Sequence, residues 1–212
     1  DKKELLIKSN DVISSIPTEI LGIVAGRRPN SEIVNITECG ASITSSGHVI
    51  VDEQRRATDH VFAIGDLTLG PAPAHKATSE AKVAADSACG IPNAFDPNCI
   101  PMVVFSDPQI VTVGIDPDTN PSNQTDFNSF RFPFSASSRA KTLGDSSGFV
   151  NIVADKEGTV VGFQAIGKHV AELAGEAALA IETASTIEDL SVTIHAHPTL
   201  GETIAEASLG LA

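Results

Sequence analysis

Tryptophan and tyrosine are missing from the chain altogether, so its interior must be filled by aliphatic residues, alanine and nine phenylalanines. No functional class follows from that absence. Cysteine is nearly missing too: Cys39, Cys89 and Cys99 are an odd number, and none stands in a CxxC or CxxxxC pair. This argues against a disulfide scaffold and a cysteine zinc site. It points to a reducing, cytoplasmic setting and leaves the chain without a redox-active cysteine pair of its own. Positive charge is scarce. Fourteen Lys and Arg stand against 27 Asp and Glu, for a formal charge of −13. A general nucleic-acid binder would show a basic face instead; this balance fits a soluble protein that repels other anions. No apolar run reaches the roughly 18 residues of a membrane span. The opening "DKKELLIKSN" lacks the apolar centre of a signal peptide. No internal repeat and no GxGxxG phosphate fingerprint occurs.

What is present is enough for a real core. Apolar residues make up 42% of 212 positions, consistent with one or two domains. Residues 4–8 ("ELLIK") and 19–25 ("EILGIVA") read as strands, the second closed by the turn signal "GRRPN". "HVIVD" and "HVFAIGD" offer two more. The alanine-rich run 74–90 has no internal glycine or proline and stops at Gly90, as a helix with a C-terminal glycine does. A proline- and asparagine-rich linker, "IPNAFDPNCIP", places a domain boundary near residues 95–99. Beyond it, "MVVFS", "IVTVGI", "FNSFRFPF", "GFVNIVAD" and "TVVGFQAIG" read as strands of an antiparallel sheet. Residues 169–185 read as an amphipathic helix. "TIEDLSVTI" leads into "HAHPTLGE", and the tail forms a short final helix. Strands followed by helices make this second region α+β.

Two stretches carry candidate chemistry. "FAIGD" ends a strand on Gly65 and Asp66, followed by a glycine-containing loop and the 74–90 helix. Asp66 can accept hydrogen bonds from sugar or polyol hydroxyls, Gly65 allows close backbone approach, and the helix start offers free N–H groups and a positive dipole end. Equally, Asp66 can simply end a strand in a turn. In "TIHAHPTLGE", His197 suits a general base whose ring Glu202 holds. Three plainer readings stand beside it. Thr199 and Glu202 spell a helix capping box, His195 and His197 could ligate a metal, and both could be surface histidines. No third ligand has a recognisable spacing, so no metal is expected.

The ordered set "ILGIVAGRRPN", "GHVIVDEQRRATDHVFAIGD", "PAPAHKATSEAKVAA", "IPMVVFSDPQIVTVG", "GFVNIVAD", "VVGFQAIG" and "IHAHPTLGE" resembles the C-terminal half of the flavin-dependent pyridine nucleotide–disulfide oxidoreductases. "AHKA" and "HAHPTLGE" point to the dihydrolipoamide dehydrogenase branch. The resemblance implies an α+β interface (dimerisation) domain at 96–212, an antiparallel sheet with helices. Partial α/β segments precede it, the end of an NAD-binding domain at 1–30 and the returning segment of an FAD-binding domain at 31–95. It implies FAD and NAD as cofactors, with Gly65, Asp66, Pro73, Ala74 and His75 along the flavin. His197 becomes the acid–base residue, Glu202 the carboxylate that orients it, and His195 a support for the loop. The implied partners are a second copy of the chain, lipoamide as dithiol–disulfide substrate, and a 2-oxoacid dehydrogenase complex; nucleic acid and membrane are not implied.

The departures are equally definite. Both glycine fingerprints and the CxxxxC disulfide would lie upstream, so the chain reads as a fragment that begins in mid-domain and is inactive alone. Gly201 stands where serine is common in this motif. The alternatives are a self-associating dimerisation module without cofactor, or a glutathione reductase-like or mercuric reductase-like relative. A mercury enzyme would be expected to carry a C-terminal cysteine pair, and this tail has none.

Overall fold

The computed structural model describes residues 3–33, 35–119 and 127–212. The chain opens with a hairpin, β1 (Lys3–Ser9) against β2 (Val12–Thr18), in antiparallel register from Lys3–Thr18 to Ser9–Val12. Its two-residue turn places Asn10 and Asp11 at φ 47° and 64°. Positive φ at both central positions suits the right-handed twist of the strands, and asparagine and aspartate tolerate it. The expected strand at 4–8 therefore exists. The one expected at 19–25 does not: those residues form no regular element, and the strand lies earlier, at β2. An apolar run of this kind is a strand only when a neighbour pairs with its backbone. No described segment does so here, and Ile20, Ile23 and Val24 stand 87%, 81% and 99% exposed.

The next region is held by isolated bridges. "HVIVD" and "HVFAIGD" contribute single pairings, Ile43–Val49 and Arg56–Phe62, in place of the expected full strands. Their apolar residues gather a small cluster of Ala41, Val49 and Ala63, with Ile36, Val51, Ala57 and Leu67 against it. A 3-10 turn at Gly65–Leu67 then leads to helix α1 (Ala74–Ala88). This helix matches the expected run, and Gly90 follows it at φ 74°, the left-handed position that suits glycine.

Beyond residue 100 the strands form one antiparallel sheet. Its strands are β3 (Met102–Val104), β4 (Gln109–Gly114), β5 (Asn128–Pro133), β6 (Phe149–Ala154) and β7 (Val160–Gly167), in the order β3-β4-β7-β6-β5. Between β5 and β6 lies the short helix α2 (Ser138–Thr142), whose N-cap Ser137 accepts a hydrogen bond from the Ala140 N–H. After β7 come α3 (Ala174–Glu182), α4 (Ile187–Val192) and α5 (Glu202–Leu209). Helix α3 packs on β4 and β7, and α5 on β5 and β6. Their small faces, Ala177, Ala180 and Ala207, let the backbones approach the sheet, and Phe163, Ile152, Val111, Val113 and Ile204 fill the space between. Burying each such large side chain contributes about 1.5–3 kcal/mol.

Two boundaries differ from the sequence expectation. The 169–185 helix is shorter, because His169 sits at φ 62° and Val170–Leu173 form a 3-10 turn before α3 begins. "TIEDLSV" is itself a helix, α4, closed by a true capping box: Thr186 Oγ1 accepts from the Asp189 N–H and the Asp189 carboxylate accepts from the Thr186 N–H.

The linker between α1 and β3 is pinned along its length. Phe95 N–H donates to the Glu53 carbonyl at 2.8 Å. Asn98 N–H donates to Glu182 Oε2 at 3.0 Å, and His75 Nε2 lies 2.7 Å from the Pro101 carbonyl oxygen.

Candidate active site

The loop from Thr193 to Gly201 joins α4 to α5, so its far end is set by a helix packed on the sheet. Glu202 is the first residue of α5, and its two oxygens face different partners. His197 Nδ1–H donates to Oε1 at 2.8 Å, and the Thr199 N–H donates to Oε2 at 2.8 Å. These hydrogen bonds, the His197 one first, hold the Glu202 carboxyl below the usual glutamate range. The imidazole–carboxylate pairing and the carboxylate half of the capping pattern, which the sequence left as competitors, are thus made by the same side chain. The capping box is only half made, because the Thr199 hydroxyl donates to the Ala196 carbonyl at 2.7 Å. The peptide between His197 and Pro198 is cis.

With Nδ1–H committed to Glu202, the neutral ring carries its lone pair on Nε2. His197 is 69% exposed, and no described residue bonds that nitrogen. His195, two residues earlier, is the opposite: its side chain is 10% exposed. Nδ1 meets the Thr193 carbonyl oxygen at 2.9 Å and Nε2 meets Glu176 Oε1 at 2.7 Å. Of the two histidines, only His197 presents a nitrogen able to exchange a proton with an outside molecule.

The second candidate group lies at the start of α1. Gly65 has φ 67°, and a Cβ there would meet the Ala77 Cβ at 3.0 Å, so glycine lets the turn press on the helix. Next to it, Asp66 accepts a hydrogen bond from Arg27 Nη1 at 2.7 Å, with its side chain still 50% exposed. Asp66 lines a cleft with Arg27, Arg28, Pro29 and Asn30. Pro73 is the N-cap of α1 and offers no capping side chain, so no side chain caps the first N–H groups of the helix. His75 turns its ring to the Pro101 carbonyl. The structure therefore brings Gly65, Asp66 and the α1 start together around one turn, and His197 and Glu202 together on another element.

Sequence reasoning missed what fixes the first turn. Glu80 is fully buried. It accepts hydrogen bonds from the Gly65 N–H at 2.6 Å, from Arg55 at 3.0 Å and from the Thr68 hydroxyl at 3.0 Å, with Lys76 Nζ at 3.2 Å. Lys76 and Glu80 sit four apart in α1, a spacing that on sequence reads as an ordinary surface pair. Arg55 also lies 4.8 Å over the Phe95 ring.

The three cysteines are free. Burial, then the Glu182 charge, raises the Cys99 thiol above its ordinary value, which leaves it a poor nucleophile at neutral pH. Among the described residues no group of three or more His, Cys, Asp or Glu could hold a metal ion, and no helix is long and apolar enough to cross a membrane.

Comparison with known proteins yields a consistent set. The family described as "Pyridine nucleotide-disulphide oxidoreductase, dimerisation domain" matches residues 100–208, and "Pyridine nucleotide-disulphide oxidoreductase" matches residues 1–81. The chain is 41% identical over 203 residues to the dihydrolipoyl dehydrogenase of Geobacillus stearothermophilus, covering 95% of this chain and 43% of that protein. It is 42% identical over 193 residues to the dihydrolipoyl dehydrogenase of Halobacterium salinarum, covering 90% and 41%. Among solved structures, LpdA from Mycobacterium tuberculosis superposes with a TM-score of 0.87 at 23% identity, covering 98% of this chain and 46% of that one. The HOCl-induced flavoprotein disulfide reductase RclA from Escherichia coli gives 0.86 at 20%, covering 97% and 48%. These two likenesses speak for the fold. The chain spans less than half the length of each of these four relatives.

Proposed function

We propose, from the premise that the chain belongs to the pyridine nucleotide–disulphide oxidoreductase family, that it serves as the second half of a dihydrolipoyl dehydrogenase-like enzyme. That enzyme oxidises a dithiol of the dihydrolipoamide type to its disulfide and reduces NAD. The observation that carries the reading is the His197–Glu202 couple, with one ring nitrogen committed at 2.8 Å and the other open. The likeness to named dihydrolipoyl dehydrogenases favours lipoamide over glutathione or mercury chemistry.

The chemistry follows from the atoms. A neutral thiol is a weak nucleophile and its thiolate a strong one. His197 Nε2 takes the thiol proton, which makes the ring a cation. Glu202 Oε1 holds the Nδ1 hydrogen and stabilises that cation, while the Thr199 N–H on Oε2 keeps the carboxylate from turning. In the reverse direction the same nitrogen returns the proton. FAD, when bound, supplies the two-electron acceptor between the sulfur centre and NAD. Asp66 would accept hydrogen bonds from its hydroxyl chain, and the uncapped start of α1, with Ala74 and His75, would favour negative charge on its ring. The dimerisation domain would set His197 of one subunit toward the sulfur centre of its partner in a homodimer. By itself the chain would not turn over, since it carries no CxxxxC pair and no phosphate fingerprint.

The test is a chimera: the part of the Geobacillus relative that precedes the matched stretch, joined to this chain. Dihydrolipoamide-dependent reduction of NAD is followed with flavin content as the control. His197→Gln should lower turnover by about 10²–10⁴-fold, the usual contribution of a general base, with flavin content unchanged. Turnover near that of the parent chimera would remove His197 from the mechanism. A purified chain that is colourless and dimeric would support the alternative, a dimerisation module without cofactor.

A further inference from the structure

Two histidines of one short loop each face a carboxylate from a helix, and they are wired differently. His197 gives one nitrogen to Glu202 and keeps the other open. His195 spends both, on the Thr193 carbonyl at 2.9 Å and on Glu176 at 2.7 Å. A carbonyl only accepts, so Nδ1 of His195 carries a hydrogen. The contact at Nε2 then holds one proton shared between ring and carboxylate. Nothing is left on His195 to serve an outside substrate, so its role is with the protein.

What it holds is close to the site. Glu176 is the third residue of α3, a helix packed on β4 and β7. The His195 ring lies against the turn that precedes α5: a Cβ on Gly201 would be 3.3 Å from His195 Cδ2 and 3.8 Å from Glu176 Oε2. Gly201 is followed directly by Glu202. The loop is thus fixed from two sides, by α5 through Glu202 and by α3 through Glu176. We infer that His195 and Glu176 form a positioning pair that clamps the 195–201 loop so that Glu202 meets His197. The catalytic meaning of this pair rests on the proposed role of His197; the clamp itself does not. Besides Glu202 and His197, charged and titratable groups on this side include Glu172, His169 and Arg139, which line one cleft with Glu176.

The experiment follows the Glu202 side-chain carboxyl by carbon-13 NMR in this chain as pH is lowered, comparing His195→Ala and Glu176→Ala with the parent. Loss of charge alone would move the two variants oppositely. Removing a neighbouring cation raises the Glu202 midpoint, and removing a neighbouring anion lowers it. Loss of positioning loosens the hydrogen bonds from His197 and Thr199 in both, so both midpoints should rise toward the ordinary glutamate value. His195→Gln, whose amide can still donate to Glu176, should recover most of the shift. If an alanine variant fails to fold, Glu176→Asp keeps the charge but withdraws the carboxylate by one methylene, and should raise the midpoint in the same sense. An unchanged or lowered midpoint in folded Glu176→Ala, or an unchanged one in folded Glu176→Asp, would overturn the clamp. In the chimera, His195→Ala should lower kcat at least about tenfold with KM little changed, within the ~10²-fold that a misplacement of about 1 Å can cost. Equal turnover would also overturn it. A null result for His197→Gln leaves the NMR outcome standing, so the two readings fail separately.

Discussion

The residues before the linker and those after it use the same kinds of side chain to opposite effect. After the linker, apolar residues of the five-stranded sheet meet two alanine-faced helices, and 18 residues form a single buried cluster. Before it, equally apolar stretches stay in water. Leu6, Val12 and Ile13 of the hairpin are 65%, 68% and 66% exposed, and the buried cluster there has three members, Ala41, Val49 and Ala63. Hydrophobic sequence therefore supplies a driving force but no location; a core forms where the covering element is in the same chain. The first region instead buries a polar cluster around Glu80.

The sharpest test of that contrast is a pair of truncations. Phe163→Ala, at a fully buried ring, should cost about 3–5 kcal/mol in denaturant unfolding. Leu6→Ala on the exposed hairpin should stay within about 0.5 kcal/mol, the range of ordinary surface changes. Comparable losses would break the comparison. Next in size is Glu80→Gln, which removes the charge that Arg55 and Lys76 both face. Breaking a buried ion pair from one side costs about 3–5 kcal/mol. Here the loss should be confined to residues around α1 and the Gly65 turn, read as faster amide exchange there, with the five-stranded sheet unaffected. Exchange that accelerates throughout would show the two regions to be one cooperative unit. The smallest effect concerns acid. The Glu202 carboxyl in the folded chain lies below the usual glutamate range. A depressed folded value means its contribution is present above the unfolded value and lost as pH falls through the folded one. The start of α5 should therefore loosen as pH falls below the ordinary glutamate range; amide exchange at Thr199 reports it.

What could be read in the sequence tracks where the determinants sit. The sheet strands were legible because short runs of β-branched and aromatic residues are a local signal, and α1 because its alanine run ends on Gly90. Helix α4 escaped notice since it is one short turn and a half, although Thr186 and Asp189 spell its cap. The capping pattern of Thr199 with Glu202 is only half formed because the Thr199 hydroxyl donates to the Ala196 carbonyl, while the carboxylate serves both the Thr199 N–H and His197. The strand expected at 19–25 failed because strand formation is a property of two segments, and no described segment partners that one. At the site, His197 and Glu202 are five residues apart and could be paired by eye. Glu176 lies 19 residues before His195, on helix α3, and Glu80 reaches Gly65 across 15. Such contacts exist only once the chain is folded.

The stitches along residues 95–101 bear on how motion could pass through the molecule. Phe95 is tied to Glu53 on one side, Asn98 to Glu182 on the other, and His75 at the head of α1 to Pro101 just before β3. A proline-rich stretch that looks on paper like a free joint is thereby tied to the regions on both sides of it. Displacement at the head of α1 would reach the residue just before β3 through the His75 contact.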